Sequence, residues 1–194
     1  SIAVQTLIGL GINVINLDYA TTPTVEMEVT RNKAHGGIII TASHNPKPYN
    51  GIKMLNEKGE FLSAQDGEQI LTIKEKADYC FADIENLGNE TKSYNHTKNH
   101  IEDILNLELV NREAIQSKKY TVCVDAINSV GGIAVPLLLE KLGCEVIGLF
   151  CEPNGDFQHA PEPLEKNLAE LKALVTKTDA DLGIAVDPDV DRLV

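Results

Sequence analysis

The chain has 194 residues, 43% of them hydrophobic and 24% charged, and is long enough to bury the core of one large domain or two small ones. Its 17 basic residues against 29 acidic ones leave a formal net charge of -12, which disfavours binding to nucleic acid or to an anionic membrane surface. The four cysteines lack C-x-x-C spacing and the density of a disulfide scaffold, so we expect reduced thiols in a cytoplasmic protein.

Predicted helices and strands alternate along the first half of the chain. Apolar residues at helical spacing stop at Gly11, and Pro23 lies where the first turn of a helix tolerates proline, after Thr22 as its cap. Ser63 and Asp66 form a capping-box pattern that begins a further helix. The predicted elements are a helix over 3–10, a strand over 12–17, a helix over 24–34, strands over 38–41 and 52–55, and a helix from 63 to about 77.

The apolar opening over residues 2–17 does not have the composition of a signal peptide. It contains Gln5, Asn13 and Asn16, and no basic segment comes before it. No stretch of the sequence approaches the ~20 consecutive apolar residues that cross a bilayer. We therefore expect this opening to form a helix and a strand of the core, and we expect no membrane partner.

The second half continues the same alternation after a polar segment. Residues 83–99 have little periodicity and are the best linker, with the boundary between two units somewhere in 85–119. The predicted elements beyond it are a strand over 120–125, a helix over 133–142, a strand over 145–150, a helix over 167–176 and a strand over 182–186. The pattern predicts an α/β fold of two consecutive units, 1–99 and 100–194, in which helices pack on parallel or mixed sheets.

A serine follows the predicted strand over 38–41. Ser43 lies in the segment 41–46, TASHNP, where the asparagine and proline keep the following backbone out of a helix. A turn at the end of a strand is a suitable place from which to present a hydroxyl nucleophile. His44 and Asn45 add polar groups beside the hydroxyl, and Lys53 supplies a cation or proton carrier. An ordinary turn, whose polar side chains bind the loop backbone, explains the same residues equally well.

Three aspartates alternate directly after the predicted strand over 182–186. Asp187, Asp189 and Asp191 can turn their carboxylates towards one centre, an all-oxygen set that suits a hard cation such as Mg²⁺. Acidic loops are often only solvated, but three carboxylates at this spacing repel one another and need a cation or Arg192 to offset the repulsion. A calcium loop of the EF-hand type is disfavoured, because its glycine and its distal glutamate are absent.

Two strings of residues resemble the α-D-phosphohexomutase family. Residues 37–54, GIIITASHNPKPYNGIKM, are similar to its active serine loop, and residues 187–192, DPDVDR, are similar to its metal loop. Residues 125–132 are similar to a turn of its second domain, and residues 153–157 together with 161–164 are similar to the loop before its metal strand, so that the resemblance runs along nearly the whole chain. The resemblance implies that this chain contains most of domain 1 and the first part of domain 2 of a four-domain enzyme. The N-terminal segment, the end of domain 2, and domains 3 and 4 would lie outside it.

The resemblance implies a phosphoryl-transfer role for Ser43. In this family the serine carries a phosphoryl group, donates it to a hexose phosphate and takes the other phosphate back from the hexose 1,6-bisphosphate. Lys53 matches the lysine thought to act as general acid/base, and His44 and Asn45 match neighbouring active-site residues. The implied enzyme is an intramolecular phosphotransferase, an isomerase that interconverts hexose 6-phosphate and hexose 1-phosphate.

The resemblance also implies a Mg²⁺ site. Asp187, Asp189 and Asp191 match three metal ligands, and an oxygen of phosphorylated Ser43 would be the fourth. Arg192 would contact the phosphate end of the site. The expected work of the metal is electrostatic, because it draws charge from the serine oxygen as the phosphoryl group leaves. That the serine segment and the aspartate segment meet in space is implied by the resemblance alone.

The sugar stays open at this point. Phosphoglucomutase or phosphomannomutase is the main interpretation, and phosphoglucosamine mutase of the same family is the alternative. The resemblance implies that the missing third domain mainly selects among glucose, mannose and glucosamine phosphates. It also implies that the sugar-recognition loop and a phosphate-binding loop lie outside this chain, so we expect little or no mutase activity from the chain alone.

Two alternatives of other classes remain. Residues 184–190, IAVDPDV, also resemble the nucleophile strand of haloacid-dehalogenase-type phosphatases. In such an enzyme Asp187 would take the phosphoryl group and Asp189 would act as acid/base, which leaves the serine segment unexplained. The non-enzymatic alternative is a metal-binding structural or interaction module, which the presence of both intact motifs disfavours.

Overall fold

Helices and strands alternate along the chain in the computed structural model, which describes residues 1–45 and 48–194. The first half contains α1 (Ile2–Gly9), β1 (Val14–Asn16), α2 (Thr22–Arg31), β2 (Gly37–Thr41), β3 (Gly51–Leu55), α3 (Ala64–Lys76) and β4 (Glu90–Lys92). The second half contains α4 (His96–Leu105), α5 (Arg112–Lys118), β5 (Thr121–Asp125), α6 (Gly131–Lys141), β6 (Glu145–Leu149), α7 (Ala169–Thr178) and β7 (Leu182–Ala185). Single 3-10 turns span Ile84–Asn86 and Glu165–Asn167. The α/β prediction is confirmed, and Pro46 and Lys47 of the predicted serine turn lie outside the described residues.

The strands of the described residues form three small sheets. β1 and β4 are parallel, β2 and β3 form an antiparallel pair, and β5 lies between β6 and β7 in a parallel three-stranded sheet. Val122 and Val124 of β5 pack with Leu139 of α6 on one face, while Cys123 packs with Leu171 of α7 on the other. Both faces of the central strand are thus covered, which explains its nearly continuous apolar sequence.

The parallel arrangement of this sheet brings the ends of β5 and β7 together. Asp125 at the end of β5 pairs with Ala185, and its carbonyl accepts a hydrogen bond of 3.1 Å from the N–H of Val186. Since parallel strands end at the same edge of a sheet, the residues that follow β7 begin beside Asp125. Residues 187–192, which contain the three aspartates, leave the sheet at this edge.

The two faces of the β2–β3 hairpin differ in burial. Ile39 pairs with Lys53, and on the same face Ile39 and Leu55 form a small core with Val29 of α2. Because side chains alternate between faces along a strand, Lys53 points to the α2 side of the hairpin. The opposite face carries the exposed cross-strand pairs Ile38 with Met54 and Ile40 with Ile52.

The apolar opening of the chain forms α1 and β1, as expected. The hydroxyl of Ser1 accepts a hydrogen bond from the N–H of Val4 at the start of α1, and the helix ends before Gly11. β1 is shorter than predicted, with three residues. No helix in the part of the chain that the structure describes is long and apolar enough to cross a membrane.

One local prediction is wrong, and one short strand was missed. Thr22 was expected to cap the second helix, but Thr21 is the cap and accepts a hydrogen bond of 3.2 Å from the N–H of Thr24. Thr22 is instead the first residue of the helix, and its hydroxyl donates a hydrogen bond to Asp189. The polar segment over 83–99 is not wholly irregular, because β4 lies inside it; its exposed side chains carry no apolar alternation, yet its backbone pairs with β1.

Gly132, near the start of α6, provides a test of the packing between this helix and the loop that follows β6. A Cβ atom at this position would lie 2.1 Å from the carbonyl oxygen of Cys151, which is backbone and cannot rotate away. We expect Gly132→Ala to lower the free energy of unfolding by ~1–3 kcal/mol, which is the usual cost of an overpacked site. Urea denaturation measures this change. The matched control is Gly67→Ala inside α3, where a Cβ meets nothing within 4 Å and should add ~0.5–1 kcal/mol of stability. Equal stability of the two variants would contradict the packing described here.

Candidate functional site

The three alternating aspartates converge after β7. One carboxylate oxygen from each of Asp187, Asp189 and Asp191 lies within 4.8 Å of the others. Asp187 and Asp189 are buried, with 0% and 3% of their surface exposed, whereas Asp191 reaches solvent. We call residues 187–192 the aspartate loop. Two of its three carboxylates are therefore held away from bulk water, which an ordinary solvated acidic turn would not require.

The backbone of the aspartate loop holds Asp187 by one oxygen. Its Oδ1 atom accepts hydrogen bonds from the N–H groups of Asp191 at 3.2 Å and Arg192 at 3.1 Å. Val190 reaches this turn with a φ of 63°, in the left-handed region that a β-branched residue rarely adopts. Such a conformation persists only where the surrounding contacts fix it, and here the N–H of Val190 also donates to the carbonyl of Asp187.

Residues of the first half of the chain hold Asp189 by one oxygen as well. Its Oδ2 atom accepts hydrogen bonds of 2.6 Å from the hydroxyl of Thr22 and of 2.6 Å from the ammonium group of Lys53. The same ammonium group also binds Oδ2 of Asp191 at 2.8 Å. Lys53 therefore connects the β2–β3 hairpin, whose connecting loop carries Ser43, with the aspartate loop.

The second oxygen of each buried aspartate remains unpaired. Oδ2 of Asp187 and Oδ1 of Asp189 are buried, and neither has a hydrogen-bond partner within residues 1–45 and 48–194. A buried carboxylate oxygen without a partner is costly, and a bound cation removes that cost. Oxygen donors alone, two of them from buried carboxylates, fit a hard divalent cation such as Mg²⁺.

The two buried carboxylates have opposite pKa shifts. Burial, followed by the charge of Asp189, raises the pKa of Asp187 to about 7. Burial also acts to raise the pKa of Asp189, but hydrogen bonds from Lys53 and Thr22 outweigh it and lower that pKa below its usual value. Burial acts to lower the pKa of Lys53, but its hydrogen bonds to Asp189 and Asp191 raise it. One proton or one cation thus relieves the repulsion at Asp187, while Asp189 and Lys53 stay ionised.

Ser43 lies in a strained turn, as the φ of 49° shows. Its N–H donates to the hydroxyl of Thr41 at 2.9 Å, and its Oγ atom lies 3.3 Å from Nδ1 of His44. Asn45 donates from its side chain to the carbonyl of Ala42 at 3.1 Å and so stabilises the turn itself. The turn presents a half-buried hydroxyl with an imidazole beside it. The predicted contact between Ser43 and a metal ion stays a prediction.

Arg192 does not offset the repulsion among the aspartates, although the sequence left that option open. Its guanidinium group binds Oε1 of Glu162 at 3.0 Å, in a pair whose side chains are both partly exposed. Lys53 supplies the compensating charge instead. The predicted contact of Arg192 with a substrate phosphate is not tested by this arrangement.

A loop before α7 borders the aspartate loop and is attached to the same sheet edge. His159 lies between two acceptors, Oδ2 of Asp125 at 2.9 Å and the carbonyl of Ala160 at 2.8 Å. The other oxygen of Asp125 accepts from the N–H of Ile127 at 3.0 Å. These bonds fix the loop that carries Glu162, the partner of Arg192.

Several residues of the site were missed from the sequence. Thr22 was interpreted only as a helix cap, and Glu162 was assigned no chemistry. Glu26 of α2 is close enough to Lys53 and Asp191 for their charges to affect its carboxyl, whose pKa is raised mainly by burial. The threonines around Pro23 indicate the start of a helix. Nothing in their spacing indicates that Thr22 would bind a residue as distant in the sequence as Asp189.

Comparison with known proteins places both halves of the chain in related families of domains. The model for "Phosphoglucomutase/phosphomannomutase, alpha/beta/alpha domain I" matches residues 1–80, and that for domain II matches residues 98–194. The two matches leave out part of the predicted linker. The division into units 1–99 and 100–194 stays a prediction.

Curated relatives and solved structures agree with these matches. A phosphoglucomutase/phosphomannomutase of Thermococcus kodakarensis is 36% identical over 97% of this chain and 41% of its own length. A probable phosphoglucosamine mutase of Methanopyrus kandleri is 35% identical over 95% of this chain and 40% of its own length. The crystal structure of a phosphoglucomutase/phosphomannomutase family protein from Burkholderia thailandensis superposes with a TM-score of 0.82, at 26% identity over 98% of this chain and 41% of that one. The chain thus spans about two fifths of the length of these proteins.

The raised pKa of Asp187 predicts how the stability of the chain without metal depends on pH. The folded chain holds the proton of Asp187 up to pH of about 7, whereas the unfolded chain releases it near the usual 3.8, so that raising the pH between these values favours unfolding. In the presence of a chelator, we expect the melting temperature to fall from pH 5 to pH 8, and we expect added Mg²⁺ to restore it at pH 8.

Asp187→Asn is the control for this prediction, since the amide oxygen can still accept the two backbone hydrogen bonds but carries no charge. We expect its melting temperature in chelator to change less between pH 5 and pH 8 than that of the unaltered chain, and Mg²⁺ to stabilise it less. Differential scanning calorimetry measures both. Identical pH profiles for the two proteins would contradict the assignment to Asp187.

Proposed function

The chain belongs to the phosphoglucomutase/phosphomannomutase family, and on that basis we propose that its protein interconverts hexose 6-phosphate and hexose 1-phosphate through phosphorylated Ser43 and a hexose 1,6-bisphosphate. The observation that carries the proposal is the double contact of Lys53 with Asp189 and Asp191. This contact joins the hairpin that carries the nucleophile to the loop that carries the ligands. Each motif alone has an ordinary explanation, whereas the contact of a lysine of the serine-bearing hairpin with two of the aspartates supports one phosphoryl-transfer site.

In the proposed reaction, the phosphoryl group moves between Ser43 and the sugar. The bond between phosphorus and Oγ of Ser43 breaks while a sugar hydroxyl oxygen bonds to phosphorus, and the hydroxyl proton ultimately replaces the phosphoryl group on Oγ. The sugar bisphosphate then returns its other phosphate to Oγ by the reverse step. Lys53, which its two aspartate partners hold as an ammonium ion, is our candidate for the acid that protonates Oγ.

The residues present fit a Mg²⁺ ion. We assign its ligands to Oδ2 of Asp187, Oδ1 of Asp189, a carboxylate oxygen of Asp191 and an oxygen on phosphorylated Ser43, because the first two atoms are buried and unpaired among the described residues. When bound, such an ion would stabilise the negative charge that develops on the serine oxygen during transfer. Lys53 and Thr22 would keep Oδ2 of Asp189 neutralised at the same time.

The remaining predicted residues receive supporting roles. His44 lies beside the Ser43 hydroxyl and is suited to hold it or its phosphoryl group by a hydrogen bond. Asn45 is suited to maintain the strained turn. Arg192 would exchange its exposed pair with Glu162 for a phosphate of the substrate, which costs little because exposed ion pairs contribute at most ~1 kcal/mol.

The names of the relatives are consistent with three sugars, namely glucose, mannose and glucosamine. Phosphoglucomutase/phosphomannomutase is the name of one relative, and probable phosphoglucosamine mutase is the name of several others at nearly equal identity. We therefore keep glucose or mannose phosphates as the main proposal and glucosamine phosphate as the alternative. Assays of the full-length protein with all three sugar phosphates decide between them. Because the chain spans about two fifths of its relatives, we expect little mutase activity from it alone.

We also propose a cytoplasmic location. The four cysteines lie within the described residues and are free thiols, and burial raises the pKa of Cys144 and of Cys151. Unpaired thiols are typical of proteins that stay in a reducing compartment.

The burial of Asp187 argues against the phosphatase alternative. A nucleophilic aspartate must reach a phosphorus atom, but Asp187 is 0% exposed and one of its oxygens accepts two backbone hydrogen bonds. Ser43 is half-buried and lies in a turn. Access therefore favours the serine as the phosphoryl carrier.

Mass spectrometry of the full-length protein tests the proposed carrier. After incubation with glucose 1,6-bisphosphate, we expect one acid-stable phosphate on the peptide that contains Ser43. We expect Ser43→Ala to accept no phosphate and to lose at least about a thousandfold in kcat, as enzymes do without their nucleophile. Ser63→Ala is the control, since it removes only the cap of α3 at a cost of ~1 kcal/mol and should leave the mutase active. An acyl phosphate on Asp187, with none on Ser43, would replace the mutase by the phosphatase alternative.

A further inference from the structure

Thr22 makes a two-point contact with Asp189, although 167 positions separate them. Its hydroxyl donates to Oδ2 at 2.6 Å, and its backbone N–H donates to the carbonyl of Asp189 at 2.9 Å. Both side chains are almost completely buried. From this contact we propose that Thr22 is a positioning residue for the metal site, which selects the oxygen that Asp189 presents to the ion; the inference rests on the proposed function of the aspartate loop.

The selection depends on the different surroundings of the two oxygens of the Asp189 carboxylate. A carboxylate without partners can take many orientations, because the energy of its terminal torsion varies little with angle. With Oδ2 bound by Thr22 and Lys53, Oδ1 is left buried and without a partner among the described residues. Thr22 thereby leaves one particular oxygen free to bind a cation.

Lys53 alone cannot fix which oxygen of Asp189 faces the ion. Its ammonium group ends a flexible chain and divides its hydrogen bonds between Asp189 and Asp191, so that it can follow either carboxylate. Thr22 has a short β-branched side chain with few rotamers and is attached to the first turn of α2. Its hydroxyl therefore fixes a position in space that the lysine cannot.

The first turn of α2 leaves Thr22 free for this role. Thr21 caps the helix, and the hydroxyl groups of Thr21 and Thr24 lie 2.8 Å apart in a separate network that ends on His100. The backbone N–H of Thr22 is one of the groups at a helix start that have no partner within the helix, and the carbonyl of Asp189 satisfies it. The positive end of the helix dipole also favours the charge of Asp189.

The contact couples metal binding to the docking of the two halves of the chain. Thr22 lies in the part that matches domain I, and Asp189 lies in the part that matches domain II. If docking prepares Asp189 for the ion, then the ion must stabilise docking by the same factor. Partners of metal ligands commonly change metal affinity by about 10- to 100-fold when they are removed, which sets the expected size of the effect.

Calorimetric titration of the full chain with Mg²⁺ tests the inference. Thr22→Val keeps the shape of the side chain and the backbone N–H but removes the hydroxyl, and we expect it to weaken Mg²⁺ binding about tenfold. We expect Thr22→Ser, which retains the hydroxyl, to bind within about threefold of the unaltered chain. Thr22→Ala, which lacks the same hydroxyl without the bulk of valine, should show the loss seen in Thr22→Val.

Thr24→Val is the matched control. Thr24 lies in the same helical turn, is equally buried and loses two hydroxyl contacts on substitution, but none of its hydrogen bonds among the described residues goes to Asp189. We expect lower thermal stability and unchanged Mg²⁺ affinity. If the unaltered chain binds no Mg²⁺, the proposed metal site itself fails. If it binds Mg²⁺ and Thr22→Val and Thr22→Ala bind equally well, or if Thr24→Val weakens binding as much, only the role of Thr22 is overturned.

Discussion

The burial of two neighbouring carboxylates, Asp187 and Asp189, sets the conditions that the rest of the site meets. Two negative charges at close range and out of water repel strongly, and each oxygen that lacks a partner adds a cost of its own. The structure meets part of this cost with backbone N–H groups at Asp187 and with Thr22 and Lys53 at Asp189. One oxygen on each residue is left over. A bound cation would remove the remainder of this cost.

The donors that meet this condition come from both halves of the chain. The aspartate loop follows β7, whereas the hydroxyl and ammonium groups that neutralise Asp189 lie on α2 and β3. The hairpin of β2 and β3 has one buried face, and that face directs Lys53 towards the aspartates. The packing of a small apolar core thus determines where the ammonium group of Lys53 lies. The position of the aspartate loop relative to the hairpin therefore depends on how the two halves of the chain pack together.

Short-range patterns predicted most of the fold, because they are determined by neighbouring residues. The capping box at Ser63 and Asp66 and the buried strand at 121–125 are examples, and the aspartate triad was recognisable from its spacing. Long-range contacts were not predictable in this way. The bond from Lys53 to Asp189 spans 136 positions, and nothing in the local periodicity of either segment indicates the other. Strand β4 was missed for the same reason, since its exposed side chains show no alternation and its partner is distant.

The pairing of β4 with β1 has a consequence for the order of folding. The side chains of Asn16 and Glu90, bonded at 2.8 Å, are 74 positions apart, and the two strands are parallel. Parallel pairing across so long a loop is slow and carries more closure entropy than the β2–β3 hairpin, whose strands end at Thr41 and begin again at Gly51. During synthesis, α2 and the hairpin can therefore form before β1 has a partner. Part of the polar segment over 83–99 is thus the partner strand of β1, and a chain cut after residue 80 would leave β1 without this partner.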